Sequence, residues 1–227
     1  MSIPLGGARP QSSSDPLGAS SQDAATGGPA ENLWTAAVRR NPEHAHGYAE
    51  RWRRIEASGQ DIYGEARLLD AMAPRGARIL DAGCGSGRLG GHLARAGHHV
   101  IGVDLDPHLI DVARQDHPEA RWEVANLAEL DLRDEEGRRV QFDLALSAGN
   151  VFTFLAGTER RPALAHLAQH LRPEGRLVAG FGLDRGYDLP AFEADAAAGG
   201  LRLTQRFSTW DLRPASEDFL VGILELA

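Results

Sequence analysis

The hydrophobic positions of the chain fall into three regimes. From Glu31 to about Ala73 they recur at helical spacing. Leu33, Trp34, Ala37 and Val38 share one face, then Tyr48, Trp52 and Ile55, then Ile62, Ala66, Leu69 and Met72. This predicts two or three helices ending at the turn Pro74-Arg75-Gly76. From residue 77 onward, short apolar runs alternate with helical stretches. The runs at about 77–82, 99–104, 121–125, 142–147 and 176–181 read as strands. The stretches at about 87–96, 107–115, 158–171 and 189–198 read as helices. Pro107 suits a first helical turn, Gly97 follows a helix end, and Pro173-Glu174-Gly175 reads as a turn into the fifth strand. The acidic stretch 127–139 has no clear period. In the last regime, 201–210 and 218–226 are strand-like with no helix between them.

Strands alternating with helices predict a parallel sheet with right-handed crossovers, and the closing pair predicts an antiparallel hairpin on it. Residues 1–30 are Gly, Pro, Ser, Ala and Gln with few large apolar side chains, and are expected to form a disordered tail. The resulting division is a tail (1–30), a helical cap (31–74) and an α/β core (75–227).

Composition narrows the function classes. The 227 residues suffice for one substantial core, and a net charge of −8 argues against broad binding to nucleic acid or anionic membrane. No apolar run reaches membrane-spanning length, and the N-terminus lacks a secretory pattern. A single cysteine excludes an intrachain disulfide. A cytoplasmic location is the expectation.

The chemistry is concentrated after the first strand. Asp81, Gly83, Gly85 and Gly87 form D-x-G-x-G-x-G at a strand-to-helix turn, where bare backbone at a helix N-terminus admits a nucleotide-like ligand. Asp104 ends the next strand, where a carboxylate can accept from two ribose hydroxyls. Gly85 to Gly90 also satisfies the dinucleotide pattern G-x-G-x-x-G, which keeps an NAD-dependent oxidoreductase as an alternative. A non-catalytic module that keeps the cofactor fold is a second one.

These residues resemble the class I S-adenosylmethionine-dependent methyltransferases. Ile79 to Gly87 matches that family's glycine motif and Asp104 its ribose acid. Leu171 to Leu177 looks like its L-x-P-G-G-x-L turn, with Glu174 replacing one Gly. The resemblance implies a Rossmann-like, doubly wound, seven-stranded sheet whose last strand is antiparallel. It also implies S-adenosyl-L-methionine as cofactor, and methyl transfer to an acceptor expected to be a small molecule. Asn126 would face the adenine amino group and Leu127 would pack on the ring. Cys84 in the loop, and Leu105 and Ser147 at strand ends, complete the implied cofactor lining. No metal is expected.

A methyl on a sulfonium is already activated, so positioning dominates, and a base is needed only for an acceptor that must lose a proton. His44, His46 and Asn150 are the candidates for catalysis. Tyr48, Trp52, Asn150, Phe152, Tyr187, Trp210 and Arg213 are candidates for the acceptor pocket. Arg53 or Arg67 is available to the methionyl carboxylate. His166 and His170, at i and i+4, read as an outward polar helix face.

Overall fold

Asn32 starts the first helix of the computed structural model, which describes residues 28–227. Its side-chain oxygen accepts from the backbone N–H of Trp34 (3.1 Å) and Thr35 (3.4 Å), groups a helix start otherwise leaves without partners. Three helices follow from the periodic faces: α1 (Leu33–Arg40), α2 (His44–Ala57) and α3 (Gly64–Met72). The expected tail lies, apart from residues 28–30, outside the described residues.

The core then alternates: β1 (Arg78–Ala82), α4 (Arg88–Arg95), β2 (His99–Asp104), α5 (Pro107–Asp116), β3 (Arg121–Val124), β4 (Phe142–Ser147), α6 (Val151–Phe154), α7 (Gly157–Gln169), β5 (Leu171–Gly182), α8 (Leu189–Ala198), β6 (Leu201–Phe207) and β7 (Phe219–Leu226). The sheet order is β3-β2-β1-β4-β5-β7-β6. β1 pairs in parallel with β2 and β4, and β7 is antiparallel to both β5 and β6. The seven-stranded, doubly wound expectation holds, with β7 as the reversed strand. Strand order reverses between β1 and β4, so the loops leaving their C-terminal ends diverge and open a crevice there.

Three local readings are corrected. Pro173-Glu174-Gly175 does not precede β5 but bulges within it. Leu171 pairs with Phe142 and Arg176 with Leu144, leaving Arg172 to Gly175 opposite Asp143 alone. A Cβ on Gly175 would lie 2.9 Å from the Phe142 carbonyl oxygen, so only glycine fits the bulge. The helix read as 158–171 ends at Gln169, and α6 is an additional turn that periodicity over four residues cannot reveal. His170 is fully buried, not outward. Its Nε2 accepts from Leu132 N–H (3.2 Å), so Nδ1 carries the proton donated to the Val140 carbonyl (2.8 Å). Burial lowers its pKa and keeps it neutral. It thereby anchors the stretch without period, which forms a single 3₁₀ turn at Leu127–Glu129 and a bridge between Arg133 and Arg139.

Apolar clusters cover both faces of the sheet. Leu80, Phe142, Leu164 and Phe192 belong to one, and Ile79, Leu69, Leu93 and Val178 to the other. α2 packs on α5 through Ala45, Ala49, Leu109 and Val112, which seats the cap over the sheet edge. No helix among the described residues is long and apolar enough to cross a membrane.

Trp122 on β3 accounts for three glycines together. A Cβ on Gly102 would meet its ring at 2.2 Å, one on Gly90 at 2.8 Å and one on Gly87 at 3.0 Å. Gly102→Ala, in a strand centre with no room to yield, is therefore expected to cost about 1–3 kcal/mol by overpacking. Urea unfolding measures it, and an unchanged midpoint would refute the socket.

Candidate functional site

The crevice holds a cavity of about 290 Å³. Its floor is backbone and short side chains from the C-terminal ends of the strands: Gly83 and Gly85, Asp104 and Leu105, Ala125 to Leu127, Ala148 and Gly149. Its roof comes from the helices, chiefly Trp34, His44, Tyr48 and Phe154.

The loop after β1 is held in two ways. The N–H groups of Gly83 and Cys84 both donate to the Val103 carbonyl, at 2.8 and 2.9 Å. Gly83 (φ 82°) and Gly85 (φ 53°) take left-handed conformations that other residues resist. A Cβ on Gly83 would also strike Val151 at 2.5 Å, and one on Gly85 the Tyr48 ring at 3.2 Å.

Asp104 fixes the loop to the next helix. One carboxylate oxygen accepts from Gly85 N–H (2.9 Å) and the other from Asp106 N–H (2.9 Å). Each oxygen keeps one further acceptor position, and Asp104 lines the cavity. Burial raises its pKa to about 6 despite these donors. Asp106 caps α5 through His108 N–H (2.9 Å) and accepts from the Trp34 indole N–H (2.8 Å), which ties the cap to the floor. Trp34 in turn meets Tyr48 edge-on at 5.3 Å and His44 at 4.9 Å.

Asn126 is fixed at both ends of its amide. Its oxygen accepts from Ala128 N–H (2.9 Å), and its nitrogen donates to Glu159 (3.1 Å). Of the residues singled out from the sequence, Gly83, Gly85, Asp104, Leu105, Asn126, Leu127, His44 and Tyr48 come together around the cavity.

The structure turns the others elsewhere. Asp81 lies beneath the loop and accepts from Gly90 N–H at 2.8 Å. Gly87 faces Ala113 and Trp122. Cys84 packs beside Ile110 and Ala113, and burial pushes its thiol pKa up. Ser147 is buried at the end of β4, its hydroxyl without a partner among the described residues. Trp52 lies under the Arg88 guanidinium, 4.2 Å from the ring centre, and His46 sits against His108 at 5.9 Å. Asn150 takes φ 67° and accepts from Gly182 N–H (2.8 Å), bracing β4 to β5. Phe152 and Tyr187 join a buried aromatic cluster with Phe181 and Phe192, where the Tyr187 hydroxyl donates to Asp195 at 3.0 Å. Trp210 covers Gly180 on the sheet. Arg213 pairs with Asp211, Arg53 with Asp116 and Glu50, and Arg67 with Asp61.

Sequence reading missed Trp34 as a wall residue, along with Asn32, Asn41, Arg51, Val151, Phe154 and Leu155. Trp34 carried a helical-face signal, but nothing local says that this face covers a cavity. Among the described residues, no group of three or more His, Cys, Asp or Glu is disposed to hold a metal ion.

Comparison with known proteins agrees with this geometry. A methyltransferase-domain family profile matches residues 79–175. The crystal structure of a TehB-like SAM-dependent methyltransferase from Corynebacterium glutamicum is 51% identical, with a TM-score of 0.77, covering 82% of this chain and 100% of that one. The ubiquinone biosynthesis O-methyltransferase of Xylella fastidiosa is 62% identical over 66 residues, which are 24% of this chain and 27% of that enzyme. A dTDP-3-amino-3,6-dideoxy-alpha-D-glucopyranose N,N-dimethyltransferase of Streptomyces fradiae is 30% identical over 128 residues, 54% of this chain and 48% of its own. The chain thus spans about a quarter to a half of these two enzymes. The oxidoreductase alternative has no support among these relatives.

The buried carboxylate of Asp81 makes a testable contribution. Burial raises its pKa from 3.8 to about 7. The native state therefore holds a proton between about pH 4 and 7 that the unfolded state has released, and stability falls as pH rises through that window. Asp81→Asn keeps an acceptor for Gly90 N–H and removes the charge. The variant is expected to match wild type near pH 4 and to exceed it by up to about 4 kcal/mol above pH 7. Urea unfolding across this range, without added ligand, measures it; parallel pH profiles would refute it.

Proposed function

The chain belongs to the S-adenosylmethionine-dependent methyltransferases, and on that premise we propose that it transfers a methyl group to a small-molecule acceptor bound under the helical cap. The observation that carries this reading is Asp104. It is a half-buried carboxylate at the cavity floor, oriented by two backbone N–H groups, with one acceptor position left on each oxygen. That is the donor count of a vicinal ribose diol. The positive-φ turn at Gly83 and Gly85 supplies bare backbone beside it, where side chains would collide with Val151 and Tyr48.

S-adenosylmethionine supplies a methyl group already activated on a sulfonium. The residues of this chain then have three tasks. Asp104 and Asn126 hold the nucleoside end, with Leu105 and Leu127 as apolar walls beside the base. Trp34, Tyr48, Val151 and Phe154 exclude water from the reacting region. His44, at the start of α2 in the cavity wall, receives on an imidazole nitrogen the proton of an O–H or N–H acceptor.

The acceptor is read as a small molecule because the cavity lies beneath a roof of helices and the relatives compared above include methyltransferases named for small-molecule substrates. The acidic net charge of −8 agrees. The cytoplasm is the compartment that suits a chain with a single cysteine.

Calorimetric titration with S-adenosylmethionine, S-adenosylhomocysteine and NADH tests the reading. Saturable binding of the first two and none of NADH is expected. Asp104→Ala is expected to weaken S-adenosylhomocysteine by about 1–3 kcal/mol, the scale of hydrogen bonds to a charged acceptor. Binding of NADH alone, or undiminished affinity in a folded Asp104→Ala, overturns it. With any acceptor found in a screen, His44→Gln is expected to lower kcat by about 100-fold or more while acting little on KM; an unchanged kcat removes His44 from the reaction.

A further inference from the structure

Glu159 does not line the cavity and has no part in the reaction proposed for it. It is the third residue of α7, half-buried, and its carboxylate gathers three donors. One oxygen accepts from Ala156 N–H (2.8 Å) and from the Asn32 amide nitrogen (3.1 Å). The other accepts from the Asn126 amide nitrogen (3.1 Å). Two asparagines thus point their NH₂ groups at one carboxylate.

Each amide is also fixed from its opposite end. The Asn32 oxygen accepts from Trp34 and Thr35 N–H, and the Asn126 oxygen accepts from Ala128 N–H. An amide placed between a carboxylate and a backbone N–H has one permitted orientation, because turning it over sets donor against donor and acceptor against acceptor. The Asn126 oxygen retains one acceptor position, and Asn126 is part of the cavity wall.

We infer that Glu159 is a specificity-determining positioning residue: by holding the Asn126 amide nitrogen it keeps the oxygen available to the ligand, so that the site selects a purine bearing an amino group over one bearing a carbonyl. This rests on the reading in which Asn126 meets the base. The selectivity follows from hydrogen-bond polarity. An amino group donates to the Asn126 oxygen, whereas a carbonyl placed there leaves two acceptors facing each other, which a buried site penalises.

In Glu159→Gln the single oxygen serves Ala156 and Asn32, and the new NH₂ meets the Asn126 NH₂. Asn126 then loses its fixed orientation. In the reciprocal pair Asn126→Asp with Glu159→Gln, the donor and acceptor are exchanged. The glutamine amide introduced at position 159 would donate to the carboxylate introduced at position 126, which still accepts from Ala128 N–H and still offers an oxygen to the cavity.

The experiment is calorimetric titration of the full chain with S-adenosylhomocysteine and S-inosylhomocysteine. Wild type is expected to prefer the adenosyl ligand by roughly tenfold or more, the scale of one well-placed hydrogen bond in a buried site. Glu159→Gln is expected to bring that ratio close to one, whereas Asn126→Asp, an acceptor in either orientation, is expected to keep the adenosyl preference. The double variant is expected to recover the adenosyl preference to within about threefold of wild type. The double variant satisfies every donor and acceptor, so if Glu159→Gln fails to fold it tests whether an acceptor oxygen at position 126 sets the preference. A ratio unchanged in Glu159→Gln, or not restored in the folded double variant, overturns the inference. Equal binding of both ligands by wild type overturns it and leaves the methyl-donor reading standing. Binding of neither ligand by wild type overturns both.

Discussion

A carboxylate partly withdrawn from water must be held by donors, and Asp104 shows how much of the architecture that requirement organises. Its two oxygens take the N–H groups of Gly85 and Asp106. The first bond closes the loop after β1 onto the end of β2. The second sets the backbone at the start of α5, where Asp106 caps the helix and accepts from Trp34. Loop, strand, helix and cap are therefore joined through two neighbouring carboxylates, Asp104 and Asp106. The cost of desolvating Asp104 is visible in its raised pKa.

A second constraint is steric. The glycines after β1 do not all serve a ligand. Gly83 and Gly85 form the cavity floor, whereas Gly87 and Gly90, with Gly102 on β2, accommodate the Trp122 ring. The spacing of the motif thus combines two demands. One is backbone approach by a ligand at a left-handed turn; the other is close seating of α4 on the sheet over a large aromatic residue. Asp81 belongs to the second group, since it pins α4 through Gly90 N–H from beneath.

The roof obeys different rules from the floor. Its members are helical side chains that meet by ring packing and a few polar ties: Trp34 against Tyr48, His44 and Phe154, Trp34 to Asp106, and Asn32 to Glu159. Glu159 links roof and floor, because it holds Asn32 at the start of α1 and Asn126 after β3 with the same carboxylate. The helix that closes the cavity and Asn126 on its floor are in this way positioned by a common group.

Periods of two and 3.6 residues, glycine and proline punctuation, and an acid at a strand end are local signals. They determined most of the secondary structure, the parallel core with its terminal hairpin, and the floor residues Gly83, Gly85, Asp104 and Asn126. These are legible because a tight strand-to-helix turn and a strand terminus each demand particular residue types at fixed offsets. The tertiary structure decided the rest. His170 has the spacing of a surface residue, yet it is buried because the 130–140 stretch folds over it. Asn150, Phe152 and Tyr187 follow strand ends, as site residues do, but a sheet brace and an aromatic cluster take them instead. Trp34 reaches the cavity wall, and Glu159 the amide of Asn126, only through partners 72 and 33 residues away. Contacts at such separations are set by how helices pack on the sheet, and chain order alone does not encode them in any local pattern.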